Sequence, residues 1–257
     1  MHQKILFFLG TFLFSCCSFS QIKKTTASPT SKVNSHIKVF DLAIASGDVT
    51  TAATALNYFI TEQGSNTTYA DTLAMLYMQQ GAFAQCFYWA NKRLDLNPEN
   101  NMLLELKGIC LDKLQQPKEA IEIFEKLLKK TQSPYHAYKL MELQYGIKRL
   151  SECLSTAIAA EKLTFKPEFV MTYNVGQQTG RTYLQAGVYN IHALALYDLD
   201  KKADAKVYFE KALALDSTFA LAKQNLEALK SLESGAGKAL QQNNQPVSSP
   251  AIKQNQN

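Results

Sequence analysis

An internal period of 34 residues restricts what this chain can fold into more than any other feature of its sequence. Like residues fall into the same columns when the chain is divided into five rows: 33–66, 67–100, 101–134, 135–167 and 186–219. One column holds only small residues once a single deletion is allowed in the fourth row: Ala52, Cys86, Ala120, Cys153 and Ala205. A period of this length indicates a repeat architecture, in which each unit packs on its neighbours to bury a continuous core.

Each row is predicted to form two helices joined by a turn. Gly47 and Gly81 align at this turn in the first two rows. Where the two helices approach most closely, the first helix carries the column Phe40, Ala74, Gly108, Glu142 and Ala193. Helix axes separated by about 8–10 Å need small side chains at such a point. Phe40 and Glu142 depart from this pattern, so the first and fourth rows are predicted to pack less regularly.

These columns resemble the tetratricopeptide repeat, a helix-turn-helix unit of 34 residues. The last row matches best, because residues 205–216 read Ala-Lys-Val-Tyr-Phe-Glu-Lys-Ala-Leu-Ala-Leu-Asp. The resemblance covers residues 33–219 and implies an all-α, right-handed α-solenoid of about five helix-turn-helix repeats. Residues 220–234 are predicted to form a C-terminal capping helix, which covers the last row with Leu221, Leu226 and Leu229.

The repeat is interrupted before its fifth row. The step from Glu142 to Ala193 is 51 residues instead of 34. Between them, β-branched and aromatic residues flank the sequence Gly-Gln-Gln-Thr-Gly at 176–180, with a periodicity nearer two than 3.6. We expect a small β-hairpin insertion at 168–185 that leans on the solenoid, since an isolated hairpin is marginally stable. A plain surface loop is the alternative.

Both ends of the chain differ from the repeats. Residues 1–20 combine Lys4, an apolar run and a small-residue ending before Gln21, which predicts a signal peptide and an exported, periplasmic or secreted protein. Cleavage before Cys16 is the alternative, and it would leave a lipid anchor in the cell envelope. Residues 21–32 are predicted to be a flexible leader, and residues 235–257, rich in Gln, Asn, Ser and Pro, a disordered tail. No membrane span is expected in the mature chain.

Charge and motifs argue against several classes of function. Of 27 basic and 22 acidic residues, six lysines lie outside residues 34–233, which leaves that range with 21 basic and 22 acidic side chains. A nearly neutral body does not favour nucleic-acid binding, which needs clustered cations. His36, His136 and His192 are isolated, and Cys86, Cys110 and Cys153 have irregular spacing, so neither metal ligands nor a disulfide framework are predicted. No cofactor motif or catalytic constellation is present, so we expect a protein that is not an enzyme.

The resemblance implies a concave groove, lined by the first helix of each row, in which a partner segment lies. The candidate partner-binding residues in the matching columns are Met75, Met78, Ile109, Leu143, Asn190, Leu194 and Tyr197. An apolar stripe with Met and Tyr suits a helical or extended apolar segment.

Three functions remain open from the sequence. The first is a non-enzymatic protein–protein interaction scaffold of the bacterial cell envelope, whose partner is another protein or a peptide segment. The second is a chaperone-like assembly or secretion factor for exported or outer-membrane proteins. The third is an accessory domain of a polysaccharide-handling or hydrolytic enzyme, which would require catalytic residues that the sequence does not display.

Overall fold

The structure is a computed structural model that describes residues 35–233. Its helices are α1 (Ser35–Ser46), α2 (Val49–Gln63), α3 (Thr68–Gln79), α4 (Phe83–Leu94), α5 (Asn101–Lys113), α6 (Pro117–Thr131), α7 (Pro134–Gly146), α8 (Leu150–Ala160), α9 (Leu184–Asp198), α10 (Lys202–Leu215) and α11 (Ala220–Glu233). The strands β1 (Val170–Val175) and β2 (Gln178–Tyr183) lie between α8 and α9. The predicted signal peptide, leader and tail, and the Cys16 lipid anchor, fall outside the described residues.

The helices form five consecutive pairs, and α11 follows the fifth. Each helix packs on the helix before it and the helix after it, which makes the stack an α-solenoid. The two strands form an antiparallel hairpin inserted between the fourth and fifth pairs. The predicted fold class, with its hairpin insertion and capping helix, is therefore confirmed. Within residues 35–233, none of the helices combines the length and the apolar character needed to cross a membrane.

In all five pairs, the turn between the two helices contains a residue in the left-handed conformation, two positions before the second helix begins. Glycine supplies this conformation in the first two pairs, at Gly47 (φ 73°) and Gly81 (φ 69°). In the later pairs Gln115, Lys148 and Asp200 occupy the position with φ of 62°, 63° and 60°. A side chain in this conformation costs about 1–2 kcal/mol. The later turns have the same geometry in spite of that cost. Because they contain no glycine at this position, the sequence does not mark them as turns.

The fourth pair is shifted by one residue from the predicted alignment. Only two residues separate α6 from α7, so the deletion lies ahead of α7 and not inside the pair. Counted back from the first residue of the second helix, Met141 is the counterpart of Gly108. Met141 is completely buried, whereas Glu142 is partly exposed. The prediction that Glu142 replaces the small residue at the helix crossing is wrong, because Met141 takes that place.

An exchange of sizes between the two helices accommodates Met141. In the third pair, a Cβ atom on Gly108 would lie 2.8 Å from Cε2 of Phe124, so a small residue faces a large one. In the fourth pair the counterpart of Phe124 is Ala157, and Met141 and Ala157 share one core cluster. All these side chains are buried. The interior is close-packed, so a larger residue on one helix requires a smaller one on the other.

One face of the hairpin packs on the solenoid. Met171 pairs with Thr182 across the strands, and Tyr173 pairs with Gly180. Met171, Tyr173 and Thr182 are buried. Met171 comes so close to Gly187 of α9 that a Cβ atom there would overlap its sulfur. The beginning of α9 is thus shaped to receive the insertion.

Tyr173 connects the hairpin to α11. Its hydroxyl accepts a hydrogen bond from the backbone N–H of Ala220 at 3.0 Å and donates one to the carbonyl of Thr218 at 3.4 Å. Its ring packs edge-on against Phe219, with 4.8 Å between ring centroids. The first N–H groups of a helix have no partner within the helix. The hairpin therefore supplies a partner at the start of the capping helix.

Replacing Tyr173 with phenylalanine is expected to lower the free energy of unfolding by about 1–2 kcal/mol, because a backbone N–H at the start of α11 loses its acceptor. Urea denaturation followed by circular dichroism measures the change. Tyr58→Phe, on an exposed tyrosine of α2, is the matched control and should leave stability unchanged. Equal stability of Y173F and wild type would show that the hydroxyl does not anchor α11.

Candidate partner-binding groove

The groove face is the surface lined by the first helices of the pairs, α1, α3, α5, α7 and α9. Met75 and Met78 of α3 and Tyr197 of α9 are partly exposed on it. A partner segment that lay along this face would reach these three predicted site residues. Their role in binding stays a prediction.

Other predicted site residues of the groove are covered. Ile109 of α5 and Asn190 and Leu194 of α9 lie in the expected columns but are buried. Asn190 accepts a hydrogen bond from the side-chain amide of Asn225 on α11, at 3.2 Å. The expectation of a continuous exposed stripe is therefore wrong at these three positions. These side chains, which the sequence pattern predicts to contact a partner, instead contact the capping helix or pack in the core.

Leu143 does not lie in its predicted groove column. The one-residue shift of α7 puts Glu142 into the column of Ile109 and Leu194 and turns Leu143 toward α6. Leu143 is buried in the core cluster that also contains Phe124 of α6. The predicted position of Leu143 is wrong, for the same reason that the position of Glu142 is wrong.

Lys139 is surrounded by carboxylates at the middle of the groove face. It contacts Glu142 one turn further along α7, and Asp112 and Glu105 of α5 lie near its ammonium group. Burial lowers the pKa of Lys139, but the three carboxylates raise it more, so that the net pKa is above the ordinary value. The side chains of Lys139 and Glu142 are only 8% and 13% exposed. Lys139 is therefore an internal counterion that joins α5 to α7.

Two of these carboxylates have further partners. Glu105 Oε2 lies 3.1 Å from Nε2 of His136, and Asp112 Oδ2 lies 3.7 Å from Nζ of Lys113. Nδ1 of His136 in turn lies 2.7 Å from the hydroxyl of Thr131. The carboxylates at the middle of the groove face thus each have a partner within the protein, and the contacts of Lys139 and His136 join α7 to its neighbours.

Tyrosines line the groove side of α7. Burial, with Glu142 nearby, raises the pKa values of Tyr135 and Tyr138 well above the ordinary range. Burial and then Asp198 raise the pKa of Tyr145. These hydroxyls stay protonated at neutral pH, and Tyr138 and Tyr145 are buried in a core cluster, so these two rings pack inside the solenoid.

A small cleft opens at the turn ends of α5 and α7. Its volume is about 170 Å³, and it is lined by Asp112, Gln115, Pro117, Glu142, Leu143, Gly146 and Ile147. Its walls are partly acidic and partly apolar. A cleft of this size accommodates one side chain and not a drug-sized molecule, whose pockets begin at about 300 Å³.

The groove face contains apolar residues that the sequence analysis missed. Ile37 and Ile44 of α1 and Met102 of α5 fall in groove columns when positions are counted from the second helix, and all three are at least partly exposed. With Met75 and Met78 they form what we call the apolar half of the groove. The register of the second helices alone was a sufficient signal, because the small-residue column marks those helices in every row.

The three cysteines of the described residues and His192 lie in the core. Cys86, Cys110 and Cys153 are free and buried, and burial raises the pKa of Cys153 to about 12. His192 is buried with its Nδ1 2.9 Å from Oε1 of Glu161, and burial lowers its pKa. Among residues 35–233 no three His, Cys, Asp or Glu side chains are grouped as metal ligands.

Comparisons with known proteins agree with this architecture. Residues 186–219 match the family model of the tetratricopeptide repeat. Among solved structures, the chain is similar to MamA (17% identity, TM-score 0.59), with 72% of this chain and 92% of that chain covered. MamA residues 41 to the end, from Desulfovibrio magneticus RS-1, give 16% identity, a TM-score of 0.59 and coverages of 72% and 95%.

A third similar structure is YrrB, described as a tetratricopeptide repeat protein with an unusual peptide-binding site. It gives 16% identity, a TM-score of 0.59 and coverages of 75% and 90%. No curated protein matches the sequence. At these identities the structural matches establish the fold. The five stacked helical pairs thus share the fold of these structures, and residues 186–219, which form the fifth pair, match the tetratricopeptide repeat.

Proposed function

We propose that this protein is a non-enzymatic scaffold of the bacterial cell envelope that holds an apolar segment of another exported protein in the apolar half of its groove. The observation that carries the proposal is the apolar surface formed by Met102, which is exposed, with Met75, Met78, Ile37 and Ile44, which are partly exposed. Methionine is flexible and polarisable and suits surfaces that accommodate apolar side chains. The similar protein YrrB is described as having a peptide-binding site.

The cellular location in this proposal comes from residues 1–20, whose pattern is that of a signal peptide. Mass spectrometry of the protein purified from its native cells tests it. A mature chain that begins at Gln21 supports a secreted or periplasmic protein. A lipid-modified Cys16 would indicate an anchored protein, and an uncleaved cytoplasmic chain would contradict export.

Substituting Met75 and Met78 with glutamate is expected to weaken capture of the partner about 30-fold or more. Each methionine contributes about 1 kcal/mol or more when a partner covers it, and 2 kcal/mol corresponds to about 30-fold. Ile109 is left unchanged because it is buried in the core and its substitution would damage the fold. Affinity purification of the mature protein from its envelope identifies the partner chain, and anisotropy titration with a labelled segment of that chain measures the affinity.

The matched control carries Ile158→Glu and Val207→Glu, on exposed apolar residues of the second helices α8 and α10. This variant adds the same charge away from the groove face and should bind the segment as the wild type does. Helicity by circular dichroism should be equal in all three proteins. Undiminished binding by M75E/M78E would remove the groove from consideration.

A chaperone-like holding factor is the second candidate, because a methionine surface also accommodates many different apolar segments. Competition separates the two functions. A specific scaffold releases its labelled segment only to the unlabelled form of that segment. A holding factor releases it to unrelated apolar peptides at similar concentrations.

A further inference from the structure

Among residues 35–233, no helix covers one apolar face of α1 in the way that the corresponding faces of the later first helices are covered. Val39 and Leu42 are 43% and 71% exposed. Their counterparts in α3, Leu73 and Leu76, are 0% and 2% exposed, because α2 packs on that face. The same two positions are half-buried or buried in each later first helix: Lys107 and Cys110, Leu140 and Leu143, His192 and Ala195.

The two ends of the solenoid differ in this respect. The outward side of α11 exposes Lys223, Glu227 and Lys230, so the C-terminal end is polar. Repeat proteins need a polar outer face on their terminal units to remain soluble as monomers. Stacking of copies head to tail would place Val39 and Leu42 against charged side chains, which is unfavourable.

The uncovered face of α1 has a self-complementary pattern. In chain order it presents Ser35, Val39, Leu42 and Ser46, which are small, large, large and small. If two copies pair antiparallel across a two-fold axis at the middle of α1, each Val39 meets Leu42 of the other copy. Each Ser35 then meets Ser46, and small residues at both ends let the helix axes approach closely.

We propose that this face binds a second copy of the chain, and that two solenoids join head to head through antiparallel α1 helices. A two-fold contact of this kind uses one surface twice and is closed, so it gives a dimer and not a fibre. The contact continues the series of helix–helix interfaces already present between successive pairs. Each copy contributes only two large side chains, from a helix of 12 residues. The area that each copy buries is therefore well below the ~800 Å² per partner of a stable interface. We expect a dissociation constant in the micromolar range.

The leader is a poor alternative occupant of this face. Residues 21–32 contain Ile22 as the only large apolar residue, with Pro29 among lysines, serines and threonines. This composition cannot supply the apolar stripe that α2 gives to α3.

Sedimentation velocity of residues 21–257 tests the proposal. The wild type should shift from monomer to dimer between about 1 and about 200 µM, and Leu42→Glu should raise the dissociation constant more than 10-fold. The control Ile158→Glu, on an apolar residue of α8 that is 54% exposed, should keep the wild-type behaviour. Circular dichroism should show equal helicity for all three proteins.

Cysteine cross-linking tests the antiparallel arrangement. A mixture of Val39→Cys and Leu42→Cys chains should form the mixed disulfide in preference to either symmetric one, and the three native cysteines do not interfere because they are buried. A monomer at about 200 µM, a dimer that L42E leaves intact, or symmetric cross-links alone would each overturn the proposal. Dimerisation that appears only after residues 21–33 are removed would also overturn it, since the leader would then be the occupant.

Discussion

Replacing Gly108 with methionine is expected to lower the free energy of unfolding by about 2–3 kcal/mol, even though methionine favours helices more than glycine does. A Cβ atom at this position would lie 2.8 Å from Cε2 of Phe124 and 3.2 Å from Cγ2 of Ile123. Phe124 is completely buried and cannot move away. Phe124→Ala alone is expected to cost about 3–5 kcal/mol, because it leaves a cavity.

The double variant Gly108→Met with Phe124→Ala is expected to lose less unfolding free energy than the two single variants together, by about 2 kcal/mol or more. The fourth pair already contains this combination, in Met141 and Ala157, with both side chains fully buried. Urea denaturation of the four proteins in this mutant cycle measures the coupling. The control cycle combines Gly108→Met with Leu56→Ala in the core of the first pairs, where the losses should add. Additive losses in the Gly108–Phe124 cycle would contradict size exchange.

The repeated columns were sufficient to predict the fold, because the packing of one helical pair on the next imposes its size restriction once in every period. The hairpin could also be predicted, since its alternation differs from helical periodicity. The register of α7 could not be predicted from the repeated columns. The deletion lies in the two-residue junction after α6, where Gln132 adopts a left-handed conformation with φ of 50° and no residue type marks the missing position. Counting from Pro134 at the start of α7 would have placed Met141 and Glu142 correctly.

The groove was less predictable than the fold. Column positions identify which side chains point toward the groove face, but their exposure depends on what neighbouring elements cover. Asn190 accepts a hydrogen bond from α11, and Met171 of the hairpin packs against Gly187. Both elements lie outside the repeat pattern, so the repeat alone cannot show this. The partly exposed methionines of α3 belong to a helix that packs on α2, α4 and α5, and their accessibility follows the column positions.

Lys139→Met is expected to lower the free energy of unfolding by about 3–5 kcal/mol at neutral pH, because a largely buried carboxylate loses its counterion. Glu142 would remain beside Asp112 and Glu105 without the cation that lies among them. The matched control is the double variant Lys139→Met with Glu142→Leu, which removes both members of the pair. It should recover most of the stability, since an apolar pair of similar volume is often as stable as a buried ion pair.

The same ion pair predicts how stability depends on alkaline pH. The pKa of Lys139 is lowered by burial and raised more by Glu142, Asp112 and Glu105, so in the folded protein it exceeds the unfolded value of about 10.4. The contribution is therefore complete below about pH 10.4 and is lost as pH rises through the folded pKa. The stability difference between the wild type and the Lys139→Met, Glu142→Leu variant should be constant from pH 7 to about 10. Above that pH the wild type should lose stability relative to the variant. Thermal denaturation at each pH measures this difference, and parallel stability curves through about pH 11 would show that Lys139 is not held as a buried cation.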